Sequence, residues 1–127
     1  MSETKYRSRL TGGIIGAAID VHRQLGPGLL ESVYEECLCI ELSNRKLEFG
    51  RQKIIDLRYK NRELENKLVL DLLVENEVIV ELKAVKKLEA IHEARLLTYL
   101  KLTNKKCGLL INFNVQVLKD GIKRLAN

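Results

Sequence analysis

From Leu10 to Leu25 the apolar residues Ile14, Ala17, Ala18, Val21 and Leu25 recur at three- and four-residue spacing, the period of an amphipathic helix. Gly26-Pro27-Gly28 ends it, because proline and glycine together disfavour continuation. A second helix is expected from about Leu30 to Arg45, burying Val33, Leu38 and Leu42. The period then changes. Gln52 to Tyr59, with Ile54, Ile55, Leu57 and Tyr59, reads as a strand, and Lys60-Asn61-Arg62 turns the chain into a second that runs through Leu68 and Leu70 to Val74. Val78 to Val85 forms the third. Ala90 to Leu102 returns to helical spacing, with Leu96, Leu97 and Leu100 as its packing stripe. Gly108 to Phe113 is a short apolar run suited to a buried strand, and Gly121 to Leu125 is expected to add a last helical turn. The order ααβββαβ predicts an α/β (α+β) fold, a mixed β-sheet flanked by helices, in one domain over 1–127.

Two of these strands carry charges that a buried sheet should not tolerate. Asp71-Leu72-Leu73-Val74 and Val78-Ile79-Val80-Glu81-Leu82-Lys83 are joined by a short turn. Acidic residues and lysine are rarely buried without a partner, because removing a charge from water is expensive. Glu81 and Lys83 share a face of their strand. If the turn is centred on Asn76, with Glu75 and Glu77 beside it, Asp71 falls opposite Glu81 and all three charges converge. A two-residue turn at Asn76-Glu77 would send Asp71 to the other face, so convergence requires a three-residue loop or a bulge. Two carboxylates can hold Mg²⁺, a hard cation that keeps waters for a substrate phosphate to replace. A neighbouring lysine can orient the attacking water or stabilise charge developing on phosphorus. The competing reading is a half-solvated hairpin with surface salt bridges.

Helical residues add to the candidate set. Glu31 and Tyr34 lie three apart at the start of the second helix and stack on one face. Glu31 is either an additional metal carboxylate or a first-turn acid complementing the helix dipole. In the later helix His92, Arg95 and Tyr99 make one polar edge that could contact phosphate oxygens, or simply a solvated edge with a snorkelling tyrosine. His22, alone before the Gly-Pro-Gly loop, reads as structural.

Composition narrows the class. At 127 residues, 46% hydrophobic and 31% charged, the chain can bury a core without disulfides and is not disordered. No apolar run approaches the ~20 residues of a membrane span, and the polar Met1 to Leu10 segment lacks a secretory signal, so a cytoplasmic location and no membrane association are expected. Cys37, Cys39 and Cys107 are read as reduced thiols behaving as small hydrophobes. A net charge of +5 is compatible with a polyanionic partner. Arg51, Lys53, Lys86, Lys87, Lys101, Lys105 and Lys106 are candidate backbone contacts.

Val21-His22-Arg23-Gln24-Leu25-Gly26-Pro27-Gly28-Leu29-Leu30-Glu31-Ser32-Val33-Tyr34 resembles the signature of the GxxExxY protein family. Asp71 to Val74, Val80 to Ala84, His92 to Leu100 and Gly108 to Phe113 resemble its later blocks, in order along nearly the whole chain. That family is similar to the PD-(D/E)XK nuclease superfamily, which implies a restriction-endonuclease-like core. The resemblance implies metal roles for Asp71 and Glu81, a water-positioning role for Lys83 and an accessory acidic role for Glu31. Arg95 stands where the family usually has glutamine, and Leu68-Val69 where it often has an aromatic-arginine pair.

Together these readings predict a nuclease, a hydrolase of DNA phosphodiester bonds with RNA left open. Asp71, Glu81, Lys83 and Glu31 would be catalytic, with Asp71, Glu81 and Glu31 holding Mg²⁺, for which Mn²⁺ could substitute. His92, Arg95, Tyr99 and Tyr34 would bind substrate. The alternatives are a weak or inactive nucleic-acid-binding or adaptor module on the same fold, and a protein-interaction subunit. The sequence leaves homo-oligomer formation open.

Overall fold

The first two elements are helices, α1 (Glu3–Leu25) and α2 (Glu31–Asn44). Strands β1 (Phe49–Tyr59), β2 (Arg62–Val74) and β3 (Val78–Lys83) follow, then α3 (Ala90–Thr103), β4 (Cys107–Asn112), a short 3₁₀ turn (Leu118–Gly121) and β5 (Ile122–Ala126). The structure is a computed structural model that describes residues 2–127. Its strands form one mixed sheet in the order β1-β2-β3-β4-β5, with β3 and β4 parallel and every other pair antiparallel. A parallel pair needs a crossover, and α3 supplies it.

Helices cover both faces. On one, Leu10, Ile14, Ala17, Ala18 and Val21 of α1 and Tyr34, Leu38 and Leu42 of α2 pack on Leu72, Val74, Val80, Leu82, Leu109 and Ile111. On the other, Leu96 and Leu100 of α3 pack on Leu73, Ile79 and Leu110. A strand covered on both sides reads as an apolar run, which explains Val78 to Val80 and Leu82 and leaves Glu81 as the exception. Gly108 of β4 lies under Leu96, and a Cβ there would crowd that side chain, so glycine lets α3 sit close to the sheet.

Expectations for Val33 and Leu97 fail for one reason. The buried stripe of α2 is Tyr34, Glu35, Leu38, Cys39 and Leu42, and that of α3 is Leu96 and Leu100. A step of one residue rotates a side chain by about 100°, which carries Val33 and Leu97 out to 37% and 43% exposure. The expected last helical turn is also corrected. Ile122 to Ala126 pairs antiparallel with β4, and Gly121 leads into it because a side chain there would collide with the Asn112 carbonyl.

Both hairpins are set by left-handed residues. Lys60 and Asn61 have φ of 48° and 66°, as a two-residue turn of the twist-matching kind requires. Between β2 and β3, Val74 pairs with Val78 across the three-residue loop Glu75-Asn76-Glu77, in which Glu75 and Asn76 have φ of 52° and 55°. The loop length needed for convergence is therefore present.

Candidate active site

Leu72–Val80 is the last pair in the β2–β3 ladder. Beyond it side chains continue the contact: Asp71 Oδ2 accepts from the Leu82 amide at 2.8 Å, and the Asp71 amide donates to Glu81 Oε1 at 3.4 Å. Strand alternation is interrupted here. Leu70 packs in the α3-side cluster, whereas Leu72 packs under α1 and α2, although a regular strand would put both on one face. Asp71 sits at that break.

Asp71, Glu81 and Lys83 line one cavity of about 140 Å³, and Glu31 reaches it from the first turn of α2. His92, Arg95 and Tyr99 close it from α3. The polar edge expected on that helix thus faces the acids. Larger clefts of about 350 and 600 Å³ lie elsewhere, but neither is lined by Asp71, Glu81 or Lys83. Asn112 supports the cavity floor: its side chain accepts from the Val85 amide and donates to the Val85 carbonyl, while the Phe113 amide donates to the Lys83 carbonyl.

The cavity gathers three carboxyl groups, Glu31, Asp71 and Glu81, against two cations, Lys83 and Arg95. Glu81 is only 8% exposed. Burial, and then the charge of Asp71, push its carboxyl up from 4.5 to about 9, against an opposing pull from Lys83. Glu31 is raised by burial and by Asp71, with Lys83 again opposing. Burial and the charge of Glu81 raise the Tyr99 hydroxyl, and Arg95 opposes. His92 Nδ1 accepts from the Glu89 amide at 2.9 Å in a capping box. A neutral ring with Nδ1 accepting carries its proton on Nε2, so His92 is a hydrogen-bond donor here.

Two expected roles change. Tyr34 is buried and stacked on Phe113, ring centroids 4.5 Å apart, and its hydroxyl donates to the Gly26 carbonyl at 2.6 Å and accepts from the Leu29 amide at 3.1 Å. With its polar atom used to close the Gly-Pro-Gly loop, Tyr34 has nothing to offer a substrate. Among the described residues no group of three His, Cys, Asp or Glu side chains could hold a metal ion, so the expected Asp71–Glu81–Glu31 cage is not formed. The donor set that remains, the Asp71 and Glu81 carboxyl groups, fits a hydrated Mg²⁺ or Mn²⁺, which takes one or two protein carboxylates and completes its octahedron with water.

His22, expected to be structural, donates from Nε2 to the Val115 carbonyl at 2.7 Å. The basic residues separate into two groups. Arg51 is paired with Glu35, and Lys105 bonds Asn76 at the β2–β3 turn, with Lys106 beside it. Those two lysines lie at the start of β4, a strand length or about 17 Å from Lys83. Lys86 and Lys87 follow Lys83 directly and are exposed.

Two residues beside the site had escaped the sequence reading. Glu35, buried on α2, accepts from Arg51 and from Gln52, and Gln52 also reaches Asp71. Glu35 sits one turn after Glu31 within the apolar stripe of α2, a signal that was available.

A sequence model of the PD-(D/E)XK nuclease superfamily matches residues 8–125, and the chain belongs to that superfamily. Neither the curated proteins nor the solved structures give a significant match. No helix among the described residues is long and apolar enough to cross a membrane.

Proposed function

We propose that this protein is a divalent-cation-dependent phosphodiesterase acting on DNA, with Mg²⁺ as its cation and Mn²⁺ able to replace it. The carrying observation is that Asp71, Glu81 and Lys83 line one cavity in a chain of nuclease ancestry. Asp71 and Glu81 offer carboxylate oxygens as ligands, and Glu31 adds negative charge from the first turn of α2. A cation bound there supplies charge to offset that of the phosphate and lowers the pKa of a nearby water. Lys83 donates to that water or to a phosphate oxygen as charge builds in the transition state. Arg95, His92 Nε2–H and the Tyr99 hydroxyl are donors suited to the remaining phosphate oxygens. A bound cation would favour the ionised form of Glu81 and offset its repulsion with Asp71.

Mn²⁺ calorimetry and a panel of DNA substrates test this reading. The wild type should bind Mn²⁺ and cleave DNA, Asp71→Ala should lose both, and Lys83→Ala should lose cleavage while still binding Mn²⁺. A wild type with no affinity for Mn²⁺ or Mg²⁺ would sink it. Arg95 on the wall of the same cavity favours a second reading, in which the guanidinium replaces the cation and the fold binds nucleic acid without turnover. Its mark is salt-sensitive DNA binding with no cleavage in either metal.

A further inference from the structure

Gln52 lies within β1 with φ of 50°, a left-handed backbone that residues other than glycine, asparagine and aspartate seldom adopt. It sits between the pairs Arg51–Leu72 and Lys53–Leu70, level with Asp71. From there its side-chain amide meets two carboxylates. Nε2 donates to Glu35 Oε1 at 2.7 Å and to Asp71 Oδ1 at 3.5 Å. Ionised carboxylates only accept, so the nitrogen end of the amide must face both acids. Glu35 is fixed in turn: it is buried on α2, and its other oxygen accepts from Arg51 Nε at 2.8 Å. A continuous chain of contacts therefore runs from Arg51 through Glu35 and Gln52 to Asp71.

We propose that Gln52 is a positioning residue for Asp71, anchored on Glu35, and that the left-handed backbone at 52 is kept for that purpose. The Leu82 amide holds Oδ2 of Asp71, and Gln52 holds Oδ1. With one donor on each oxygen the carboxylate is oriented before a cation arrives. Groups that fix a ligand in this way typically contribute 10–100-fold to metal affinity. The inference rests on the cation-binding reading of the site.

Gln52→Gly and Gln52→Asn test it, because both residues accept the left-handed backbone while one removes the amide and the other shortens its reach. Both variants should fold, melting somewhat below wild type because the buried Glu35 loses a donor. Their Mn²⁺ affinity by calorimetry should fall about 10–100-fold, and cleavage should fall at low Mn²⁺ and largely recover at saturation. In the metal-free wild type, the Gln52 side-chain amide signals in ¹⁵N NMR should move on Asp71→Asn. If Gln52→Gly binds Mn²⁺ within about twofold of wild type while Asp71→Ala does not bind, the role of Gln52 is refuted and the metal site stands. A Gln52→Gly protein that fails to fold, beside a folded Gln52→Asn that binds Mn²⁺ as tightly as wild type, makes Gln52 a strand-holding residue and overturns the proposal. A wild type that binds no Mn²⁺ removes the metal site, and this inference with it.

Discussion

The loop between α1 and α2 and the cavity beside β3 are both rich in polar groups, yet they use them in opposite ways. Around the loop, His22 and Tyr34 direct every polar atom with a partner at backbone: Val115, Gly26 and Leu29. Around the cavity, Asp71 and Glu81 face each other with too little positive charge nearby, and burial holds a proton on Glu81 to about 9. The first arrangement is complete as it stands. The second is incomplete until something positive arrives. Glu31 and Tyr34, three residues apart in one motif, fall on opposite sides of this division.

The contrast breaks most visibly at Tyr34. Tyr34→Ala opens a cavity against Phe113 and orphans two backbone groups, and should destabilise by about 3–5 kcal/mol in urea unfolding. Tyr34→Phe keeps the ring and should cost about 1–3 kcal/mol. Neither change should weaken Mn²⁺ binding while the protein remains folded. Lost affinity in a folded Tyr34→Phe would return this tyrosine to the functional site. Lys83→Ala is the mirror case. DNA cleavage should drop by a factor on the order of 10²–10³, with little change in melting temperature.

A pH series with EDTA present sharpens the comparison from the cavity side. In the unfolded chain Glu81 ionises near 4.5; in the fold it keeps its proton up to about 9. Between those values the folded state holds a proton that the unfolded state lacks. The contribution of Glu81 to stability is therefore full below pH 4.5 and lost as pH rises towards 9. Glu81→Gln carries no charge at any pH and should be more stable than wild type at pH 8, by about 1–3 kcal/mol, but not at pH 4. Equal stabilities at both values would mean that Glu81 is well solvated and carries no surplus charge.

How far such a site can be read from sequence depends on where register is decided. The approach of Asp71 to Glu81 was legible because a three-residue loop or a bulge puts both acids on one face, and the loop lies between two unmistakable strands. Gln52 was not legible. The turn at Lys60-Asn61 pairs Tyr59 with Arg62, a register that would carry Gln52 opposite Val69. An irregularity between Asp56 and Arg58 shifts the pairing and brings it level with Asp71. Nothing in the local residues announces that shift. Tyr34 was misread because i, i+3 spacing says that two side chains are neighbours, not which of them faces the core. Gly121 to Leu125 was misread because its pattern suits a helical turn as well as a strand, and pairing with β4 decides the matter.

The smallest expected effect concerns how DNA reaches the cavity. Lys86 is exposed three residues after Lys83, whereas Lys105 is bonded to Asn76 at the opposite end of the sheet. Screening limits each lysine's reach to about 8–10 Å at physiological salt, so net charge alone does not determine which residues matter. Lys86→Ala should weaken DNA binding several-fold and lower the slope of log K against log[salt] by about 1. Lys105→Ala removes the same charge from the whole molecule and should leave that slope unchanged. Equal effects from the two substitutions would mean that DNA is held by overall charge or by the far end of the sheet, and the cavity would lose its place on the substrate path.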